Sequence, residues 1–203
     1  MHLPYLLLDI DGVLIPFPDA DGTTPATHTR HDVVPTGRDP NDPVTVWLNP
    51  AHGPQLLDVI RTGLLTPVWC TSWRQDATTL IGPLLGLPPL PYIDLPHPQI
   101  TTSHLNGYLW KRDHVEAWLG DAPAVWIDDD FTRLDHAWAA ERTARGPATF
   151  LVQPHAPIGL QAAHTADVVA WARSQLDIGG LAWIDDHPAA PLSPSPGARS
   201  GHT

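Results

Sequence analysis

The sequence predicts an α/β fold, a doubly wound and mostly parallel sheet with a small flap or cap insertion after its first strand. Short apolar runs recur along the chain and end at polar residues or turns, as expected of parallel strands buried on both faces. Segments with helical periodicity lie between these runs. At 203 residues the chain is long enough for one such domain with a proper core.

The predicted strands are four apolar runs, at residues 5–8, 67–70, 124–127 and 149–152. Helices are predicted between and after them, where apolar residues recur at helical spacing, around residues 56–60, 80–85, 115–119, 134–138 and 160–169. This alternation of strand and helix is typical of a parallel sheet with helices on both faces.

Three segments depart from the alternating pattern. Residues 16–43 are rich in Pro, Asp, Gly and Thr and are too long for an ordinary loop, so they predict the flap or cap. Residues 44–48 alternate in polarity, which fits either an edge strand or part of that flap. We expect a single domain over residues 1–186, with the 16–43 insertion as part of it. The Pro/Ser/Gly tail over 187–203 has nothing to bury and is expected to be disordered.

Charge and composition exclude several classes of function. With 11 Lys and Arg against 22 Asp and Glu, the formal net charge is −11, which argues against an extended nucleic-acid surface. Cys70 is the only cysteine, so no intrachain disulfide can form. The N-terminus lacks the basic region of a signal peptide, and no run approaches the ~18 apolar residues of a membrane span. We therefore expect a cytoplasmic protein with no membrane partner.

Polar side chains follow three of the four predicted strands. Asp9 and Asp11 follow the first, Thr71-Ser72-Trp73 follows the second, and Asp128-Asp129-Asp130 follows the third. The carboxyl ends of parallel strands meet at one edge of a sheet, where ligands bind. So many carboxylates would repel one another without a cation, and oxygen ligands suit Mg²⁺. A single Asp after a strand is more often a turn or cap residue, but the joint pattern is harder to explain in that way.

These motifs, in this order, resemble the four motifs of the haloacid dehalogenase-like (HAD) hydrolase superfamily. Residues 6–14 resemble the first motif, an apolar run followed by Asp-x-Asp-Gly, and residues 68–71 resemble the second, a strand that ends in Thr or Ser. Lys111, at the head of a predicted helix, is similar to the third motif, and residues 125–129 are similar to the fourth. The resemblance implies a HAD-like, Rossmann-type fold and phosphatase activity.

A narrower resemblance is to an actinobacterial HAD group related to the phosphatase domains of RNA-repair proteins. It rests on Val-Trp-Leu-Asn-Pro at 46–50, Trp-Cys-Thr-Ser-Trp at 69–73 and the Gly-Leu pair at 159–160.

The HAD resemblance implies a role for each motif residue. Asp9 would be the nucleophile that forms an aspartyl-phosphate. Asp11 would protonate the leaving oxygen and then deprotonate the hydrolytic water. Thr71 would donate a hydrogen bond to a phosphoryl oxygen, and Lys111 would pair with both the nucleophile and the phosphoryl group.

The same resemblance implies that Mg²⁺ is held by Asp9, by the backbone carbonyl of Asp11 and by Asp128. Asp129 would supply a second acidic contact to the ion.

Three neighbouring features have simpler explanations. Asp130, the third consecutive acid, fits the cap of a helix that begins near Thr132. Arg112 lies next to Lys111, and we prefer the lysine because HAD proteins use a lysine there. A second Trp-Ile-Asp-Asp, at 183–186, is interpreted as a decoy because no periodic helix follows it.

Other functional classes fit less well. A receiver domain also gathers acids, a Thr and a Lys around Mg²⁺, but its acidic pair comes first and its acceptor Asp later. A P-loop motif is absent, and the 12 histidines form no tight metal-binding pair. Dehalogenases lack the acid at the position of Asp11, and a non-catalytic HAD protein would be expected to lose Asp9 or Asp11. A phosphomutase stays open.

The expected substrate is a small phosphorylated metabolite or a nucleotide, with a nucleic-acid end as the alternative. The flap segment carries two arginines and five aspartates, so it cannot clamp a polyanion. Its modest size predicts an open cleft. Ser72, Trp73 and Arg74 follow the second motif and are the predicted substrate-binding residues, with Trp73 able to stack on a base or simply to pack.

Overall fold

The computed structural model describes residues 3–18, 21–96 and 105–185, with side chains up to residue 176 in the last helix. The main sheet contains the parallel strands β1 (Tyr5–Leu8), β4 (Thr66–Trp69), β5 (Ala124–Ile127) and β6 (Thr149–Val152). Their order is β4-β1-β5-β6, so the chain crosses to one side of β1 and then to the other. The predicted doubly wound α/β fold is confirmed.

Four helices lie where the apolar periodicity predicts them: α1 (His52–Arg61), α3 (Arg112–Leu119), α4 (Arg133–Arg145) and α5 (Ala162–Asp185). The helix predicted around residues 80–85 is instead a π-helical turn, Ala77–Ile81, followed by a short turn, α2 (Gly82–Leu84). Pro83 has no backbone N–H, so a longer regular helix cannot form through it.

The strand register brings the polar residues to one edge of the sheet. Leu8 pairs with both Trp69 and Ile127. Strand β4 ends one residue earlier than predicted, but the N–H of Cys70 still donates to the carbonyl of Leu8 at 2.8 Å. The N–H of Asp9 donates to the carbonyl of Ile127 at 3.1 Å. The residues that follow β1, β4 and β5 therefore emerge side by side.

Strand β1 is packed from both faces of the sheet. Leu8 belongs to an apolar cluster with Leu56 of α1 and Val168 of α5. Leu7 points to the other face and belongs to a cluster with Trp138 of α4. Burial of each such leucine contributes ~1.5–3 kcal/mol. The strand that carries Asp9 is thus a rigid support.

The segment after β1 forms a small separate sheet. Strands β2 (Thr29–Val33) and β3 (Val44–Leu48) pair antiparallel, so residues 44–48 belong to a flap and not to the edge of the main sheet. The loop between them is tied to the loop after β4, because the N–H and hydroxyl of Thr36 donate to Asp76 at 2.8 and 2.7 Å. The domain boundary at residue 186 stays a prediction.

Two sequence predictions concern the C-terminal end of the chain. The tail over 187–203 lies outside the described residues, as do the side chains of the second Trp-Ile-Asp-Asp. Among the helices of the described ranges, none combines the length and the apolar character that a membrane crossing requires.

A buried histidine pair connects the flap to α1 and to the segment that precedes α5. His52, at the start of α1, donates from Nε2 to the carbonyl of Leu160 at 2.9 Å, and its ring contacts that of His28 with centroids 5.7 Å apart. The Leu160 carbonyl is thus bonded to His52, and the Leu160 N–H donates to the carbonyl of Val13. Because both backbone groups of Leu160 have partners outside the helix, α5 starts at Ala162 and not at Leu160. Burial lowers the pKa of His52 to about 4 and also lowers that of His28.

The free energy of unfolding should therefore decrease as pH falls from 6.5 to about 4, because the unfolded chain binds the His52 proton at its ordinary pKa and the folded chain does not. Above pH 6.5 the group contributes no slope. The full effect of His52 is about 3 kcal/mol. His52→Gln should remove this part of the slope in denaturant titrations across the pH range. His155→Gln, at an exposed position, is the control; equal slopes in both variants would contradict the assignment.

Candidate active site

The acids that follow β1 and β5 line one cavity of about 240 Å³ at the carboxyl edge of the sheet. Ser72, after β4, and Lys111, before α3, also line it. Thr71 is fully buried at the end of β4. Among the described residues, the lining is Asp9, Asp11, Phe17, Ser72, Leu109, Trp110, Lys111, Asp128, Asp129 and Asp130.

Lys111, the only lysine of the chain, lies between two buried carboxylates. Its Nζ is 2.6 Å from Asp9 Oδ2 and 2.8 Å from Asp128 Oδ2. Burial alone would lower the pKa of this ammonium, but the charges of Asp128 and Asp9 outweigh it and raise that pKa above its ordinary value. The neighbouring Arg112 pairs with Asp135 instead, at 3.6 Å. Lys111 is therefore the cation of the cavity.

Three carboxylates could hold a metal ion. Oxygens of Asp9, Asp128 and Asp129 lie within 4.8 Å of one another, and Asp9 Oδ1 is buried without a hydrogen-bond partner. Burial raises the pKa of Asp129 to about 7, and the nearby negative charge of Asp9 is the second cause of this shift. Three carboxylates converge here on the single positive charge of Lys111, which fits a hard divalent cation, and an all-oxygen donor set suits Mg²⁺. The Asp11 side chain is not in this group, and the metal contact expected of its carbonyl stays a prediction.

A tight turn after β1 brings the backbone of Gly12 close to the carboxylate of Asp129. Gly12 has φ of 70°, and its N–H donates to the carbonyl of Ile15 at 2.8 Å. A Cβ added to Gly12 would lie 2.2 Å from Cγ of Asp129. Glycine is required here both for the backbone conformation and for the close approach.

Asp11 is held by two donors from the loop after β4. Nε1 of Trp73 donates to its two carboxyl oxygens at 3.1 and 3.2 Å, and the hydroxyl of Ser72 donates to Oδ2 at 3.2 Å. Burial is the main cause that raises the pKa of Asp11, and the charge of Asp9 is the second. The hydrogen bonds from Trp73 and Ser72 act in the opposite direction but do not outweigh them. A raised pKa favours the protonated form of the carboxyl, which is the form that a general acid uses.

A second cleft, of about 430 Å³, adjoins the cavity, and Ser72 lines both. Arg74 has φ of 51° and donates from Nε to Asp94 Oδ1 at 2.8 Å. The arginine expected to contact substrate therefore has an acidic partner that no sequence pattern predicts. The lining of the cleft is Pro35, Thr36, Val44, Ser72, Trp73, Arg74, Gln75, Asp76 and Tyr92.

Asp135 is a supporting residue that the sequence prediction missed. Its buried carboxylate accepts hydrogen bonds from the N–H of Thr132 at 2.8 Å and from that of Leu109 at 3.1 Å. It forms a capping box with Thr132 at the start of α4, so the expectation that Asp130 caps this helix is wrong. The Thr-x-x-Asp spacing was the available signal. The bond to Leu109 also fixes the segment that leads to Lys111.

Residues 5–165 match the family described as the HAD domain in Swiss Army Knife RNA repair proteins. No curated protein and no solved structure gives a significant match. The family match covers more than half of the chain and bears out the sequence resemblance.

Proposed function

Because the chain belongs to the HAD domains of Swiss Army Knife RNA repair proteins, we propose that it is a Mg²⁺-dependent phosphomonoesterase that acts through an aspartyl-phosphate. The observation that carries this proposal is the buried Asp9–Lys111–Asp128 arrangement, with contacts of 2.6 and 2.8 Å. It leaves Asp9 Oδ1 without a hydrogen-bond partner, so this oxygen is the candidate nucleophile.

In the first step, Asp9 Oδ1 attacks phosphorus and forms an O–P bond. The bond between phosphorus and the leaving oxygen breaks, the electron pair goes to that oxygen, and Asp11 supplies its proton. In the second step, water attacks phosphorus and gives a proton to the Asp11 carboxylate. The bond between phosphorus and Asp9 then breaks, which releases phosphate and restores both side chains.

Lys111 compensates negative charge on Asp9 and on the phosphoryl group. The ion would be held by Asp9, Asp128 and Asp129, with the backbone carbonyl of Asp11 as a further ligand. When bound, Mg²⁺ would supply Lewis-acid stabilisation of the phosphoryl oxygens. Thr71 is proposed to donate its hydroxyl to a phosphoryl oxygen.

The proposed substrate is a small phosphorylated metabolite or a nucleotide. The net charge of −11 and the pairing of Arg74 with Asp94 leave little positive charge for a polyanion. The second cleft, at about 430 Å³, is large enough for the alcohol part of a small ester. The name of the matching family favours a nucleic-acid end as the second candidate.

A substrate panel tests this proposal. Purified protein is assayed with phosphorylated metabolites, mononucleotides and oligonucleotides that carry a 5′- or a 3′-phosphate, each with Mg²⁺ and with EDTA. We expect hydrolysis that EDTA abolishes and that is fastest with a small ester. Preference for an oligonucleotide end would overturn the choice of substrate. Activity in EDTA, or none with any phosphate ester, would contradict the proposed phosphatase.

Gly12→Ala should weaken Mg²⁺ binding, because the new methyl group displaces the Asp129 carboxylate that lies 2.2 Å from its position. We expect the Mg²⁺ concentration for half-maximal activity to rise about 10- to 100-fold. Gly63→Ala is the matched control: Gly63 has a similar φ of 66° but nothing within 4 Å of an added Cβ. The Mg²⁺ requirement of Gly63→Ala should equal that of wild type. An equal rise in both variants would indicate backbone strain, and no rise in Gly12→Ala would contradict the displacement of Asp129.

A further inference from the structure

Asp11 is bound by side chains that also line the cleft beside the catalytic cavity. Ser72 lines both spaces and Trp73 lines the cleft. Both donate hydrogen bonds to the Asp11 carboxyl, the indole N–H to both oxygens at 3.1 and 3.2 Å. An alcohol group in the cleft would therefore reach the cavity at the place where Asp11 is held.

We propose that Trp73 is a positioning residue, whose indole N–H orients Asp11 toward the leaving oxygen of an ester with its alcohol part in the cleft. This inference rests on the proposed phosphatase function and adds a determinant of its leaving-group specificity. Neither the HAD motifs nor the family match assigns this role.

The indole is better suited than the Ser72 hydroxyl to fix a carboxyl group. An indole N–H is a donor only, whereas a hydroxyl rotates and can also accept. The Trp73 ring packs against the apolar cluster that contains Leu8, and its backbone carbonyl accepts the Asp76 N–H at 2.9 Å. The same Asp76 holds the flap through Thr36, at 2.8 and 2.7 Å. The indole of Trp73 is therefore held by the apolar core on one side and, through Asp76, by the hydrogen bonds to Thr36 of the flap on the other.

The need for a positioned acid depends on the leaving group. When the phosphorus–oxygen bond breaks, an alkoxide must take the Asp11 proton, whereas p-nitrophenolate is stable enough to leave without it. A misdirected Asp11 carboxyl therefore slows the cleavage of alkyl phosphates selectively. The value of kcat/KM covers only the steps up to the irreversible release of the alcohol or phenol, so hydrolysis of the aspartyl-phosphate does not enter it.

The test compares kcat/KM for p-nitrophenyl phosphate and for an alkyl phosphate in wild type and Trp73→Phe. We expect Trp73→Phe to lower the alkyl value about 10- to 100-fold more than the aryl value, a part of the ~10²–10⁴-fold that acid catalysis supplies. Trp73→His, which keeps a ring N–H, should lower the alkyl-to-aryl ratio of kcat/KM less than Trp73→Phe does. Trp118→Phe makes the same change at an indole that is 41% exposed and should leave the ratio unchanged.

A double mutant separates positioning from packing. In an Asp11→Asn background, Trp73→Phe should cause no further change in the alkyl-to-aryl ratio, because both changes act through one carboxyl. Equal losses on both esters in Trp73→Phe, or a further selective loss in the double mutant, would overturn the role of Trp73. Wild-type protein that hydrolyses neither ester would overturn the proposed function itself.

Discussion

Asp9→Asn should reduce hydrolysis of p-nitrophenyl phosphate by about 10³-fold or more, the scale seen when a covalent nucleophile is removed. The amide keeps the shape of the carboxylate at a position that is only 4% exposed, but it is a far weaker nucleophile. Lys111 keeps its contact with Asp128 at 2.8 Å, so the fold should persist. The measurement is steady-state hydrolysis at saturating Mg²⁺, with circular dichroism as the check on folding.

The matched control for the nucleophile is Asp58→Asn on α1. This carboxylate is exposed and pairs with Arg61 at 3.2 Å, outside the lining of the catalytic cavity. It should leave the rate unchanged. Wild-type activity in a folded Asp9→Asn protein would exclude Asp9 as the nucleophile.

Lys111→Met should lower both activity and stability. The variant leaves Asp9 and Asp128 buried without their cation, and breaking such a pair costs about 3–5 kcal/mol. We expect that loss in the free energy of unfolding when EDTA is present. Activity should also fall strongly, since no other basic residue lines the cavity among the described residues.

Added Mg²⁺ should raise the melting temperature of Lys111→Met more than that of wild type, because one cation partly replaces the other. Arg61→Met removes an exposed pair on α1 and should cost only about 0–1 kcal/mol, with no change in the response to Mg²⁺. Equal stability of Lys111→Met and wild type in EDTA would contradict the proposed electrostatic role.

The strands and the acidic edge could be predicted because burial constrains them strongly. Strands β1, β5 and β6 have the predicted bounds. Strands β1 and β5 lie inside the sheet and end at the acids Asp9 and Asp128, and β6 ends at the polar Gln153. Acids that follow neighbouring strands must converge in a parallel sheet. The structure places Asp9, Asp128 and Asp129 together for this reason, while their chemical roles stay predictions.

The contacts that orient the site could not be predicted, because they depend on side chains from loops. Trp73 reaches Asp11 through a turn in which Arg74 adopts φ of 51°, and no local pattern predicts that conformation for arginine. The partner of Arg74 is Asp94, which lies 20 residues later in the chain, in a segment without regular secondary structure. Strand β2 reads Thr-Arg-His-Asp-Val and is mostly exposed, so it lacks the apolar pattern that would predict a strand.

If Asp9 is the nucleophile, it carries a covalent phosphoryl group during turnover, and this intermediate can be trapped. Asp11→Asn protein, which can release p-nitrophenolate but hydrolyses the intermediate slowly, is mixed with p-nitrophenyl phosphate and Mg²⁺ and quenched in acid. Mass spectrometry should find one phosphoryl group on the peptide that contains Asp9, and none in the Asp9→Asn, Asp11→Asn double variant. Release of p-nitrophenolate by the single variant without any phosphoryl group on Asp9 would contradict the covalent route.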